Sequence, residues 1–222
     1  TVEALLASLD GDEKRAFVWR ASGRMATFEA DTPPPEVLAP RAGSAEERLE
    51  ALRQHLRAKV GPRACAPGET FQFPTHVEDF AGYTEESTEH VDAFLYDDED
   101  VEELVQAGKL SRYYCPKGGG PRAVQELNFV SHSFSVAQLR YLFSERVLGD
   151  LTGKRVLDVG SRLGAVLYAG ALFSDASDLV GIETSAYFAD VQREALRKFS
   201  LDQKTRVIHA DVRDCAKAVQ SA

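Results

Sequence analysis

Short apolar runs alternate with stretches of helical apolar spacing between residues 135 and 222. The runs at 155–160, 178–183 and 205–209 each have an apolar centre between polar ends, and the first two are typical of parallel strands buried on both faces. Helical spacing follows the first two runs, from Ala165 to Phe173 and from Ser185 to about Ser200. Strands that alternate with helices favour a parallel sheet. The pattern therefore predicts an α/β fold, a Rossmann-like sheet of which three strands can be read.

Residues 1–134 are less regular, and we expect a mixed helical and hairpin region of unknown role, followed by a second domain at 135–222. Ser44 and Glu47 form a capping-box pattern at the start of one helix. Its predicted apolar face is Leu49, Leu52, Leu56 and Val60, and its predicted solvated face is Arg48, Arg53 and Arg57. The acidic run 97–100 is predicted to open a second helix that ends at Gly108, and a capping role explains the run better than a metal site because acids are favoured at a helix N-terminus.

Two strands, Leu110–Cys115 and Val124–Val130, are predicted to form a hairpin around the glycine-rich turn 116–121. Cys115 resembles half of a zinc knuckle, but the second cysteine is absent, so we expect no metal there. A further helix is predicted after Ser135, with an apolar face that ends at Val147.

Composition and charge bear on whether the chain is globular, binds nucleic acid, contains disulfides or spans a membrane. The 222 residues are 44% apolar, which is enough for a sizeable core, and carry a net charge of −9. The charge does not favour a nucleic-acid partner, although a local basic patch stays open. The three cysteines are far apart, which predicts a reduced, cytoplasmic protein. No apolar run is long enough to predict a membrane span.

Acids and glycines stand where the predicted strands end. Asp158 and Gly160 close the first strand, and Gly164 is the last residue of the four-residue turn that follows. Glycines let a backbone turn tightly and approach a ligand closely. Glu183, 25 residues after Asp158, ends the second strand, and Asp211 follows the third. In open parallel sheets, ligands bind beyond these carboxyl ends, where a carboxylate can accept the hydroxyls of a ribose.

Over residues 133–215 this arrangement resembles the class I S-adenosylmethionine-dependent methyltransferases. The resemblance implies S-adenosyl-L-methionine as the cofactor and a methyl acceptor that is a protein side chain, an RNA or a small molecule. Implied cofactor-binding residues are Asp158, Gly160, Ser161, Gly164, Glu183 (ribose), Asp211 (adenine amine) and Val212. In the family the stretch before the first strand often folds over the cofactor, so His132 and Phe134 are weaker candidates for a lid or a substrate contact, and an ordinary core or loop histidine is the alternative.

Two departures from the family pattern leave alternatives open: the residue at position 162, and the absence of the later strand-four motif that contacts the methyl acceptor. Arg162 stands where the family has its central glycine, and we expect it to be a solvated loop residue. A catalytically inactive, methyltransferase-like binding module is therefore one alternative, and a nicotinamide-dinucleotide domain is another. The latter usually carries G-x-G-x-x-G directly after its first strand, a spacing absent here.

The family sheet has seven strands, and only three can be read here. The resemblance thus implies that residues 1–222 alone would not methylate an acceptor. It also implies that Val156, Leu157 and Val159 of the first strand line an exposed sheet edge, which invites self-association.

Overall fold

The computed structural model describes residues 43–70, 83–120, 122–216 and 219. The helices are α1 (Ala45–Val60), α2 (Asp98–Gln106), α3 (Val136–Leu142), α4 (Ala165–Phe173) and α5 (Ala186–Lys198). The strands are β1 (Thr88–His90), β2 (Tyr113–Tyr114), β3 (Gln125–Glu126), β4 (Asn128–Val130), β5 (Arg155–Val159), β6 (Asp178–Glu183) and β7 (Thr205–His209), and a 3₁₀ helix covers Val212–Asp214. None of the described helices combines the length and apolar composition needed to cross a membrane.

The described residues divide into two compact units. One unit contains Arg53–Val136, and the other contains the residues up to Leu52 together with those from Ala137 onwards. The division falls inside α1, so the two halves of this helix belong to different units.

Helix α1 begins after Ser44, whose hydroxyl accepts the N–H of Glu47 at 3.2 Å. The Glu47 carboxylate accepts the N–H of Gly43 rather than that of Ser44, so the reciprocal bond of the capping box lies one residue early. Three of the four predicted apolar positions are buried, and these are Leu49, Leu52 and Leu56. Arg48 is exposed, as predicted, and donates to the carbonyl of Phe199.

The prediction of a solvated arginine face is wrong for Arg53 and Arg57. Arg53 is only 7% exposed, and it donates to the carbonyls of Phe94 at 2.7 Å and Leu95 at 2.9 Å. Arg57 donates to the same Leu95 carbonyl and pairs with the Asp100 carboxylate. The planar guanidinium fork suits such multiple acceptors. These side chains therefore hold the segment before α2 instead of facing water.

The acidic run caps α2, as predicted. The Asp97 carboxylate accepts the N–H of Asp100, and the Asp100 carboxylate accepts the N–H of Asp97. The pKa of Asp97 is lowered, since hydrogen bonds from Asp100 and the positive charge of Arg53 outweigh the effect of burial.

The predicted hairpin forms, but it is shorter than expected. Strands β2 and β3 pair antiparallel through Tyr113 and Glu126. The predicted strand Val124–Val130 is divided, because its last part, β4, pairs in parallel with β1 instead. Asn128 makes this switch by donating its N–H to the carbonyl of Ser87 at 2.8 Å. Helix α3 begins after Ser135 as predicted, but it ends at Leu142. Val147, which was predicted on its apolar face, lies beyond the helix and is 40% exposed.

The second unit contains a parallel sheet with the strand order β5–β6–β7. Asp158 lies in register with Gly181, and Glu183 with His209, so the carboxyl ends of all three strands meet at one edge. Right-handed crossovers in this order place α4 and α5 on the same face. All residues of β6 after Asp178 are buried. Among the described residues β5 pairs with β6 alone and is an edge strand, and the side chains expected along that edge (Val156, Leu157 and Val159) are half-buried.

Candidate binding site at the strand ends

The turn after β5 is attached to the end of β6. The N–H groups of Gly160 and Ser161 both donate to the carbonyl of Ile182, at 2.7 and 3.2 Å. The turn then closes on itself, because the N–H of Gly164 donates to the carbonyl of Ser161 at 2.6 Å. Gly160 and Gly164 have φ angles of +73° and +86°, which glycine adopts at little cost. The two glycines singled out in the sequence therefore shape a tight loop between β5 and α4.

Glu183 lies at the centre of the hydrogen bonding around this turn. Its side chain is buried, and Oε2 accepts the N–H of Arg162 at 2.7 Å. Oε1 accepts the N–H of Ser185 at 2.7 Å, at the start of α5, and a longer bond from the Thr184 hydroxyl at 3.4 Å. An ionised carboxylate can accept about four hydrogen bonds in total. Glu183 thus has a structural task in joining the turn to α5, and it retains acceptor capacity for a ligand.

Arg162 is not the solvated loop residue that was predicted. Its side chain is half-buried, and its guanidinium carbon lies 4.5 Å above the ring centre of Phe188. Its backbone has a φ of +44°, in the left-handed region that residues with a Cβ rarely adopt. Because the side chain stacks on the aromatic ring of α5, the arginine does not prevent the turn from forming.

Gly164 is surrounded closely by protein. A Cβ at this position would lie 2.9 Å from Cζ of Tyr168 and 3.1 Å from both Cγ and Oε1 of Gln192. Burial raises the pKa of the Tyr168 hydroxyl above its ordinary range. Gly164 is therefore required by packing between α4 and α5 as well as by its backbone conformation.

Two further predicted residues, Asp158 at the end of β5 and Ser161 in the turn, are buried. Asp158 is buried, 7% exposed, and lies on β5 opposite Gly181. Ser161 is also buried, and its hydroxyl lies 2.8 Å from the place where a Cβ on Gly181 would stand. The absent side chain of Gly181 thus leaves room for Ser161 beneath the turn.

At the end of β7, Asp211 caps the 3₁₀ helix and is paired with Arg213. Its two carboxylate oxygens accept Nε and a terminal nitrogen of the Arg213 guanidinium at 2.9 and 2.6 Å. These hydrogen bonds lower the pKa of Asp211 to about 2. Val212 follows and is half-buried. Asp211 is hence an ionised hydrogen-bond acceptor. A purine amine that donated to this carboxylate would do so beside the Arg213 guanidinium.

His132 and Phe134 lie in the other unit, and their predicted role at the cofactor stays a prediction. His132 is exposed, and its N–H donates to Nε2 of the buried His90 at 3.2 Å. The two rings are 4.8 Å apart between centroids. Both ring nitrogens of His90 are engaged, since Nδ1 is 3.0 Å from the carbonyl of Arg63.

The residues that could ligate a metal ion are dispersed in the part of the chain that the structure describes. It contains no cluster of three or more His, Cys, Asp or Glu side chains suited to a metal ion. The three cysteines, Cys65, Cys115 and Cys215, are all among the described residues, and no disulfide joins them.

Two residues near the turn were not identified from the sequence. Gln192 and Phe188 lie on the buried side of α5 and contact Arg162 through its carbonyl and its guanidinium, respectively. The sequence predicted a helix from Ser185 to about Ser200, but no local motif indicates that these two side chains meet a loop about 30 residues earlier.

Comparisons with known proteins found no matching family model and no matching curated protein, but 11 chains of solved structures match. A candidate RNA methyltransferase from Pyrococcus horikoshii is 31% identical over 35% of this chain and 36% of its own, with a TM-score of 0.30. A candidate O-methyltransferase from Klebsiella pneumoniae is 21% identical over 39% of each chain, with a TM-score of 0.32. TYW2 from P. horikoshii, solved in complex with MeSAdo, is 15% identical over 54% of this chain and 49% of its own, with a TM-score of 0.33.

This chain spans less than two thirds of the length of each of these solved proteins. The fold is established by the geometry of the chain itself. Three parallel strands in the order β5–β6–β7 are linked by two helices, and a glycine turn and acids stand at the carboxyl edge. This part of the chain therefore has a Rossmann-like α/β fold.

Proposed function

We propose that the carboxyl edge of the β5–β6–β7 sheet binds S-adenosyl-L-methionine and that the protein is an S-adenosylmethionine-dependent methyltransferase. The observation that carries the proposal is Glu183. A buried carboxylate at the tip of the central strand is held by one backbone N–H from the glycine turn and one from the start of α5. This fixes its orientation and leaves acceptor positions for the two hydroxyls of a ribose.

The surrounding residues fit the same ligand. In the turn from Gly160 to Gly164 the side chains of Ser161 and Leu163 are buried and that of Arg162 is stacked on Phe188, which leaves the backbone for a ligand to approach. Asp211, one strand further, is an ionised acceptor suited to an exocyclic amine. Along the sheet edge, the turn is followed by Glu183, which suits the ribose, and then by Asp211, which suits the purine.

When bound, the cofactor supplies a methyl group that its sulfonium already activates, so the protein has to contribute orientation and exclusion of water. Glu183 would hold the ribose, and the turn would limit how closely the rest of the molecule approaches β5. The methyl acceptor (a protein side chain, an RNA or a small molecule) is not assigned by these residues.

Isothermal titration calorimetry with S-adenosylhomocysteine tests the proposal. Glu183→Gln retains the size of the side chain and one acceptor oxygen, but it loses the charge that strengthens hydrogen bonds to hydroxyls. We expect binding to weaken by about 1–3 kcal/mol, or roughly 5- to 150-fold. Asp190→Asn removes the same charge from an exposed site on α5 and should leave the affinity unchanged. Equal affinities of wild type and Glu183→Gln would refute the ribose assignment.

The same calorimeter separates the two alternatives. NAD should not displace S-adenosylhomocysteine at comparable concentrations, because the turn lacks the G-x-G-x-x-G spacing. An inactive binding module would bind S-adenosylhomocysteine but would not transfer a labelled methyl group to any acceptor.

A further inference from the structure

Gln192 reaches from α5 to the backbone of the glycine turn. It is fully buried, and its Nε2 donates to the carbonyl of Arg162 at 2.7 Å. On the other side of the same residue, the N–H of Arg162 donates to Glu183. Arg162 is thus fastened at both its N–H and its carbonyl, one to the tip of β6 and the other to α5.

This double attachment explains how a non-glycine residue keeps a φ of +44°. The left-handed conformation is unfavourable for a residue with a Cβ and persists only where the surroundings hold it. The stacking of the guanidinium on Phe188 holds the side chain, but it does not fix the direction of the carbonyl. The Gln192 amide does so, because an N–H donor must lie opposite a carbonyl oxygen.

The amide of Gln192 also lowers the stability of the fold in a way that packing alone does not explain. Its Oε1 is buried and has no hydrogen-bond partner among the described residues. A buried acceptor without a partner is unfavourable, and an apolar side chain of similar size would avoid this. The space is already tight, since Gln192 approaches the position of a Cβ on Gly164 to 3.1 Å.

We propose that Gln192 is a positioning residue of the cofactor site: by holding the Arg162 carbonyl, it fixes the turn that orients the Glu183 carboxylate. The effect on ligand affinity rests on the proposed function, whereas the effect on the turn does not. Gln192 itself need not touch the ligand.

Two measurements on the whole chain test this. In the first, hydrogen exchange of the Arg162 amide is followed by NMR without ligand. Gln192→Leu should accelerate exchange at Arg162 by about tenfold relative to amides of β6, because the N–H···Glu183 bond is no longer supported from α5. In the second, affinity for S-adenosylhomocysteine should fall about three- to tenfold. Leu196→Ala, a change at a buried position on the same helix, should alter neither the exchange rate of Arg162 relative to β6 nor the affinity.

Gln192→Glu provides a test that a purely structural role would not pass. A protonated glutamic acid can still donate to the Arg162 carbonyl, whereas the ionised form repels it. The affinity of this variant should therefore recover towards the wild-type value as the pH falls from about 7 to about 5, since burial raises the pKa of a carboxylic acid. Circular dichroism at each pH confirms that the variant is folded.

The outcomes distinguish the two proposals. If the wild type does not bind S-adenosylhomocysteine but Gln192→Leu accelerates exchange at Arg162, the proposed function fails and the positioning role stands. If the wild type binds and Gln192→Leu changes neither exchange nor affinity, the positioning role is wrong. If Gln192→Leu does not fold, the absence of any pH-dependent recovery in Gln192→Glu overturns it.

Discussion

Replacing Gly164 with alanine should be among the most damaging single changes in the turn. The residue has a φ of +86°, and forcing alanine into this region costs about 1–2 kcal/mol. The added Cβ would also stand 2.9 Å from Tyr168 and 3.1 Å from Gln192, both of which are fully buried. Overpacking of this kind costs about 1–3 kcal/mol. A small gain from the stiffer unfolded chain offsets part of this, so we expect a net loss of about 2–4 kcal/mol.

Gly153→Ala is the matched control. Gly153 lies in the same unit and has a φ of +72°, but nothing lies within 4 Å of the place where its Cβ would stand. It should carry the backbone cost alone, about 1 kcal/mol. The free energy of unfolding can be followed through hydrogen exchange of the β6 amides, which report on this unit. If the two variants lose the same stability, the packing around Gly164 is not as described.

Three further predictions concern other parts of the chain. Arg53→Lys should destabilise its unit by about 1–3 kcal/mol in urea unfolding, because two buried carbonyls lose the guanidinium that binds them. The control Arg63→Lys changes an exposed ion pair and should cost at most about 1 kcal/mol. Equal losses of stability in the two variants would contradict the buried role of Arg53. The folded pKa of Asp211 is about 2, below its ordinary value, so the stabilising pair with Arg213 is present above about pH 4 and is lost as the pH falls towards 2. Carboxyl NMR should show this pKa rise towards its ordinary value in Arg213→Ala, and no rise would mean that Arg213 is not its cause. Elemental analysis should find no stoichiometric zinc, and zinc that is lost on Cys115→Ala would show that the expectation of a metal-free hairpin is wrong.

The parallel sheet could be read from the sequence because its signals are local. Helix α4 and strands β6 and β7 begin and end where the apolar runs and the residues that follow them indicated. The buried run of β6 ends in an acid, and Ser185 caps the next helix by accepting the N–H of Phe188. Such start and stop signals lie within a few residues of the element that they define.

The features that the sequence did not reveal depend on partners distant along the chain. Arg53 was expected in solvent because arginine usually is exposed, but the carbonyls that bury it are about 40 residues away. Strand β1 has only three residues and pairs with β4, and three residues are too few for an alternation of apolar and polar positions to predict a strand. Arg162 and Gln192 were missed as a pair for the same reason, since α5 meets the turn only through the tertiary fold.

The central claim is that the turn, Glu183 and Asp211 form one binding site for the cofactor. Amide NMR of the isotope-labelled chain during titration with S-adenosylhomocysteine tests it most directly. We predict that the shifted amides cluster at residues 158–164, 183–185 and 211–213. The absence of shifts, or shifts confined to residues 83–134, would contradict the claim.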